Sequence, residues 1–274
     1  MVTHSRPEIH RLLDSTGRSP RRDLGQNFVA DPNTVRRIAE LAKIGPGDRV
    51  IEIGAGLGSL TLALAETGAS VTAVEVDHHL VPILRQVLAD TEVTLVEADA
   101  ATLDWDTVLG GHDRWTLVAN LPYNIATPLI ADLLDHIPQI TSMLVMIQKE
   151  VGQRLAASPG TKAYGAVSVK VAYWAQAQIV GLVPPSVFVP RPRVDSALVR
   201  IDRHVPPDIA PDALFPLVRT AFGQRRKMIR RSLAEIVNPP AFDAAGIDPT
   251  RRPETLSLDE WCQLATAVKT SRST

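Results

Sequence analysis

The sequence predicts a doubly wound α/β domain with a mostly parallel sheet, followed by a small helical domain. Three observations carry this expectation. Short, nearly continuous Val/Ile/Leu runs recur with helix-length stretches between them. A glycine-rich turn, Gly54-Ala55-Gly56-Leu57-Gly58, follows the first well-formed run, and beyond about residue 205 the apolar spacing becomes helical.

In chain order, Arg49–Gly54, Ser70–Val76, Glu92–Glu97, Trp115–Asn120 and Ser142–Gln148 are the predicted strands. They lack polar/apolar alternation because strands covered by helices are buried on both faces. Ser59–Glu66 and His79–Leu88 are long enough to be crossover helices. After Gly165, the runs Val167–Trp174, Ala177–Val183 and Ala197–Asp202 also read as strands, with a proline-rich loop, Pro184–Pro192, between the last two. A second proline-rich stretch, His204–Pro211, puts a boundary near Val205, giving domains 1–204 and 205–274. Residues 1–23 read as a flexible basic arm.

A chain of 274 residues, 45% apolar and 22% charged, is neither disordered nor collagen-like and buries a core without staples. Cys262 is the only cysteine, which excludes an intrachain disulfide, argues against a thiolate zinc cluster and fits a reducing, cytoplasmic setting. No apolar run approaches the ~20 residues of a membrane span, and no apolar leader precedes Arg21-Arg22, so neither secretion nor membrane insertion is expected. The formal charge of −1 hides strong polarity. Segment 46–142 holds 3 basic and 14 acidic residues, whereas 1–45, 143–204 and 205–274 are net positive by 3, 5 and 2.

The glycine turn brings backbone close to a ligand at the carboxyl end of a strand, through Gly54 and Gly56. A dinucleotide fingerprint needs its third glycine one place later, where Ser59 stands, so the spacing is the Gly-x-Gly-x-Gly form typical of S-adenosylmethionine sites. Glu75 ends the second strand 21 residues after Gly54, where a carboxylate can accept hydrogen bonds from ribose hydroxyls. Asp99, just past the third strand, is suited to an adenine amino group. These acids belong to separate strand ends with no His or Cys cluster, so no required metal is expected.

Asn120-Leu121-Pro122-Tyr123 closes the fourth strand, where a doubly wound sheet presents residues to a substrate beside the cofactor. An exocyclic adenine amine is a poor nucleophile because its lone pair is delocalised into the ring. Accepting its N–H groups on the Asn120 side-chain oxygen and the Leu121 carbonyl favours a pyramidal nitrogen aimed at a sulfonium methyl. Pro122 fixes the turn and Tyr123 offers an aromatic face. Phe188, within Phe188-Val189-Pro190-Arg191-Pro192-Arg193-Val194-Asp195-Ser196, is read as a second face, with stacking worth roughly 1–3 kcal/mol per base.

Together these residues resemble the small-subunit ribosomal RNA adenine dimethyltransferases, KsgA-type in bacteria. The match begins at Leu24-Gly25-Gln26-Asn27-Phe28 and takes in the glycine turn, Glu75, Asp99, Asn120–Tyr123 and Phe188–Ser196. It ends on Phe222-Gly223-Gln224-Arg225-Arg226-Lys227, covering about 200 of the 274 residues in collinear order. The resemblance implies a Rossmann-like class I methyltransferase core with a helical C-terminal domain and S-adenosylmethionine as cofactor. It implies dimethylation of N6 on two adjacent adenosines near the 3′ end of 16S rRNA in the small ribosomal subunit, a step of ribosome biogenesis. By matching motif positions, Asn27, Val29, Gly54, Glu75, Asp99 and Asn120 would contact the cofactor. Val29 stands where the family often has leucine, and Gly223 where asparagine is usual.

The basic segments fit such a partner. Arg219, Arg225, Arg226, Lys227, Arg230 and Arg231 are expected to crowd one helical stretch and neutralise phosphates, with Arg18, Arg21, Arg22, Arg191 and Arg193 adding to that surface. A hairpin loop would let each adenine be splayed into the site. A monomer is expected. The nearest alternative is the large-subunit rRNA adenine N6-methyltransferase of macrolide resistance, which shares fold, cofactor and site; the Phe188–Ser196 and Phe222–Lys227 segments favour the small-subunit enzyme. A non-catalytic ribosome-assembly factor on the same scaffold is a second alternative, and a nicotinamide dehydrogenase, resting only on the glycines, a third.

Overall fold

The computed structural model describes residues 4–15, 17, 19–21 and 24–273. The chain divides into two units, Met1–Gly152 with Gln178–Asp202, and Gln153–Ala177 with Arg203–Thr274.

The chain runs α1 (Arg6–Asp14), β1 (Phe28–Val29), α2 (Pro32–Ala42), β2 (Arg49–Ile53), α3 (Ser59–Ala65), β3 (Ser70–Glu75), α4 (Val81–Val87) and β4 (Thr94–Glu97). There follow α5 (Trp105–Leu109), β5 (Trp115–Asn120), α6 (Ala126–His136), β6 (Ile140–Gln148), α7 (Lys149–Leu155), α8 (Ala166–Trp174), β7 (Ala175–Val183), β8 (Phe188–Val189) and β9 (Ser196–Arg203). Beyond them lie only helices: α9 (Pro211–Gly223), α10 (Ile229–Ser232), α11 (Pro239–Ala244) and α12 (Leu258–Ser273).

The main sheet has the order β4-β3-β2-β5-β6-β9-β7. Its first five strands are parallel, and β9 lies antiparallel to β6. From β2 the chain winds outward through β3 and β4, then returns to start β5 on the other side of β2. That reversal leaves a crevice at the carboxyl ends of β2 and β5.

Local sequence explains the elements around the crevice. Asp31 caps α2, accepting from the N–H groups of Asn33 and Thr34, and Pro32 opens the helix. At the start of α3, Gly58 has φ of 85° and a Cβ there would lie 2.9 Å from Leu84 Cδ1. Only glycine satisfies both constraints, so α3 and α4 pack closely beside the turn.

The N-terminal arm is corrected over part of its length. α1 is amphipathic, and its buried Ile9, Leu12 and Leu13 pack with Phe28, Leu57, Leu80, Ile83 and Val189. Burying this apolar stripe outweighs the segment's overall polarity. Arg18 and Arg22 lie outside the described residues.

In the second unit, Val167–Trp174 is helix α8, not the expected strand. Its β-branched residues favour a strand only weakly, and packing decides: Val169 and Tyr173, one turn apart, join the core of Leu214, Phe215, Val218 and Trp261. The Tyr173 hydroxyl donates to the Ile209 carbonyl at 2.6 Å. This unit therefore takes in Gln153–Ala177 as well as the segment after Arg203, whereas the proline-rich stretch signals a single boundary near Val205. The expected basic helix is also interrupted. α9 ends at Gly223, residues 224–228 form a turn, and α10 starts at Ile229.

Candidate active site

The carboxyl ends of β2, β3 and β5 open on one cavity, and Asn27, Val29, Gly54, Gly56, Glu75 and Asn120 all line it. Leu121, Pro122 and Tyr123 line it too, so the structure gathers the glycine turn and the Asn120–Tyr123 turn into one site. Gly54, Gly56 and Gly58 all have positive φ. A Cβ on Gly54 would find only the Asn120 carbonyl within 4 Å, at 3.9 Å, so the backbone leaves room for a ligand.

Glu75 is almost fully buried, and its carboxylate supports the turn, Oε2 accepting from Gly56 N at 2.7 Å and Oε1 from Asp77 N at 2.8 Å. Each oxygen keeps a further lone pair for a ligand hydroxyl. Burial raises the Glu75 pKa from its ordinary value, while these N–H groups oppose the shift.

Asn120 Nδ2 donates to the main-chain carbonyl of Asn27 at 3.0 Å, and Asn27 Nδ2 donates to the Gly25 carbonyl at 2.9 Å. The first bond fixes the Asn120 amide, leaving Oδ1 as its acceptor. Leu121 N–H donates to the Met146 carbonyl. The half-buried Tyr123 hydroxyl pairs with Ser196 Oγ at 2.9 Å, and Ser196 is itself fully buried.

Two expected residues stand elsewhere. Phe188 is fully buried among Val29, Val35, Ile38 and Leu198 and is not among the residues lining the cavity. The pairing of β8 with β1, Val29 against Phe188 and Phe28 against Val189, turns its ring into the core, so the structure corrects the reading of Phe188 as an aromatic platform. Asp99 is exposed beyond β4 and outside the cavity lining, its Oδ1 accepting from Ala101 N.

Other contributors went unassigned in the sequence. Glu52, the one carboxylate inside an otherwise apolar strand run, lines the cavity fully buried, and its Oε2 has no hydrogen-bond partner. Burial pushes its pKa up to about 8, and the nearby Glu75 charge acts in the same direction. Gln26 Nε2 donates to Asp77 Oδ2 at 2.8 Å, tying the Leu24–Phe28 motif to the loop after Glu75. Glu52 lies in the strand run Arg49–Gly54 and Gln26 in the Leu24–Phe28 motif, and those positions were the only signal for them. His4 Nε2 bonds to the Leu57 carbonyl at 2.7 Å, so the N-terminal segment also braces the glycine turn.

Two histidines, His78 and His79, follow Glu75 closely in the chain. Ligand-type atoms of Asp77, His78 and His79 lie within 4.8 Å of one another. The Asp77 oxygens are already engaged by Gln26 Nε2 and His79 N.

Of the basic residues, Arg191, Arg193, Arg219, Arg226, Lys227, Arg230 and Arg231 are exposed. Arg225 is half-buried, paired with Glu254 at 2.9 Å and donating to the Lys162 carbonyl. Among the described residues no helix is long and apolar enough to cross a membrane.

A model of the family described as ribosomal RNA adenine dimethylase matches residues 17–270. Ribosomal RNA small subunit methyltransferase A of Bifidobacterium longum is 46% identical, over 96% of this chain and 92% of its own. The protein of the same name from Magnetococcus marinus is also 46% identical, over 94% and 95%. Among solved structures, the 23S rRNA methyltransferase ErmE superposes with a TM-score of 0.70 at 27% identity, covering 88% of this chain and 99% of that one. A dimethyladenosine transferase from Plasmodium falciparum gives 0.73 at 22% identity, covering 85% and 94%, a likeness of fold.

Proposed function

The chain belongs to the ribosomal RNA adenine dimethylase family, and on that premise we propose how its own residues carry out S-adenosylmethionine-dependent dimethylation of adenosine N6 in small-subunit rRNA. The site fits the cofactor. The open space over Gly54, the spare lone pairs of Glu75 and the orphaned, buried Oε2 of Glu52 are groups that a polar ligand satisfies. Asn27, Val29, Gly54, Gly56, Glu75 and Asn120 would hold it. Asp99 would meet a part extending past Glu75, since Ala98 N–H bonds to the Glu75 carbonyl and Asp99 is the next residue.

The observation that carries the mechanism is the fixed amide of Asn120. Its Oδ1 and the Leu121 carbonyl accept the two N–H groups of a splayed adenine amine, concentrating the nitrogen lone pair on one face. Bound S-adenosylmethionine supplies the electrophilic methyl group. Tyr123, held by Ser196 and backed by Pro122, supports the base by stacking. A monomethylated amine keeps one N–H for Asn120 or Leu121, so the same geometry serves a second transfer.

The substrate is two adjacent adenosines near the 3′ end of 16S rRNA within the small ribosomal subunit, met by a monomer in the cytoplasm, with the RNA held by Arg191, Arg193, Arg226, Lys227 and Arg230. Arg225, engaged by Glu254, orders the turn that carries Arg226 and Lys227. The two small-subunit relatives are 46% identical and the large-subunit ErmE structure 27%, which favours the small subunit. Incubating the protein and labelled S-adenosylmethionine with each ribosomal subunit tests this. Label in small-subunit RNA is expected, and label confined to the large subunit would overturn it.

A further inference from the structure

The end of the sheet away from the cofactor cavity holds a second cavity, of about 490 Å³, with more cationic than anionic side chains in its walls. It sits at the amino ends of β2 and β5, beside Arg49 and Trp115, where those strands begin. Five residues of rise separate Trp115 from Asn120, so it lies roughly 17 Å from the transfer site at about 3.3 Å per residue.

Its composition is unexpected from the sequence around it. Segment 46–142 has only three basic residues against 14 acidic ones, and two of the three, Arg49 and Arg114, line this cavity. The third, Arg85, lies 3.9 Å from Glu97. No salt bridge engages Arg49 or Arg114 among the described residues. Lys43, at the left-handed end of α2, and Arg200, from β9, bring two more cations from outside the segment. Two carboxylates, Asp48 and Asp113, also line it, and Asp48 is occupied by the main-chain N–H of Gly45 at 2.9 Å. Of the four cations Arg200 is itself engaged, lying 3.8 Å from Asp202 and donating to the Leu41 carbonyl, so Lys43, Arg49 and Arg114 face the two lining carboxylates, and Thr116 adds a hydroxyl.

We propose that this cavity is a second phosphate-binding contact for rRNA, engaging the sugar–phosphate backbone of a segment other than the one that presents the adenines. The walls suit that ligand better than a free phosphate. The cations are long side chains brought together from four separate stretches of the chain, Lys43, Arg49, Arg114 and Arg200. Such an arrangement reads charge along a backbone without base specificity. Its distance from Asn120 means that a short hairpin carrying only the target adenines does not reach it, while the folded subunit, with phosphates on many sides, does. The proposal rests on the reading of small-subunit rRNA as substrate.

The test compares wild type with R49E/R114E and the milder R49Q/R114Q in affinity for the small ribosomal subunit and for a short target hairpin, across a salt series. S-adenosylmethionine affinity, read calorimetrically, checks that the fold is intact, because neither residue touches that cavity. The expected result is subunit binding weakened at least about tenfold at low salt in R49E/R114E, and less in R49Q/R114Q. The salt slope should shrink by up to about two, at nearly one per phosphate contact. Hairpin affinity should stay within about twofold. Unchanged subunit affinity and slope would overturn the proposal, as would equal losses on hairpin and subunit. Inorganic phosphate as a probe separates the other source. Sub-millimolar phosphate binding that both variants abolish, with subunit binding unaltered, would mark a small-anion site and also overturn it. Methyl transfer by wild type in the same samples isolates the premise, since its absence would refute the substrate reading whatever the variants do.

Discussion

Asn120 and Asn27, 93 residues apart, are joined by a single hydrogen bond from the Asn120 side-chain Nδ2 to the Asn27 carbonyl, 3.0 Å long. The bond ties the turn after β5 to the segment before β1 and decides which amide atom of Asn120 is left for a substrate. Asn120→Ala removes the acceptor and should lower the single-turnover rate of methyl transfer by about 10²–10³-fold, the scale on which one preorganised polar contact acts. Affinity for the small subunit should change little. Near-normal turnover in this variant would exclude the role assigned to Asn120.

Glu52 gives a pH signature. The unfolded chain releases this proton near the ordinary glutamate value of 4.5, whereas the folded protein keeps it until about 8. Between those values the native state binds more protons, so this group's contribution makes stability fall as pH rises from about 4.5 to 8. Glu52→Gln cannot titrate and should melt progressively higher than wild type across that window, with the smallest difference near pH 5 and the largest near pH 8. A melting difference independent of pH would show that Glu52 is not held protonated.

Much of this site was legible because doubly wound topology puts functional residues at strand ends, and Trp115–Asn120 was bounded correctly from composition alone. Phe188 was misplaced because a phenylalanine in a proline-rich loop has the same sequence signature whether its ring faces a substrate or the core. The two-residue pairing of β8 with β1 decides it, and pairings so short leave no period to read. α8 was missed for a related reason: Val167, Val169 and Val171 mimic strand alternation, and only contacts with distant helices reveal the helix. Glu52 went unassigned because a carboxylate without a partner is a property of three-dimensional burial.

The buried position of Phe188 has a direct consequence. Phe188→Ala should destabilise the protein by about 3–5 kcal/mol, the cost of deleting a fully buried aromatic ring. The affinity of the remaining folded protein for RNA should be preserved. Tyr123→Ala should do the reverse, with modest loss of stability and weaker substrate engagement. Thermal melts paired with RNA titrations separate the two, and an unchanged melting temperature in Phe188→Ala would contradict the packing described.

Gly56 has φ of 58°, and a Cβ there would lie 3.1 Å from the Phe28 ring. Gly56→Ala should cost about 1–2 kcal/mol in backbone strain and displace Phe28 and the Gly56 N–H that Glu75 accepts. Calorimetric titration with S-adenosylmethionine should show affinity reduced at least about tenfold, with the protein still folded. Unaltered affinity would mean that the turn does not shape the cofactor site.

In the mechanism proposed, adenosine N6 in small-subunit rRNA receives the methyl groups at the Asn120–Tyr123 turn. Mass-spectrometric mapping of small-subunit RNA after incubation with purified protein and S-adenosylmethionine tests it most directly. Two adjacent N6-dimethyladenosines near the 3′ end of the 16S rRNA are expected, absent when Asn120→Ala replaces wild type. Methyl groups on another base or atom, or the same two dimethyladenosines formed at wild-type rate by Asn120→Ala, would contradict it.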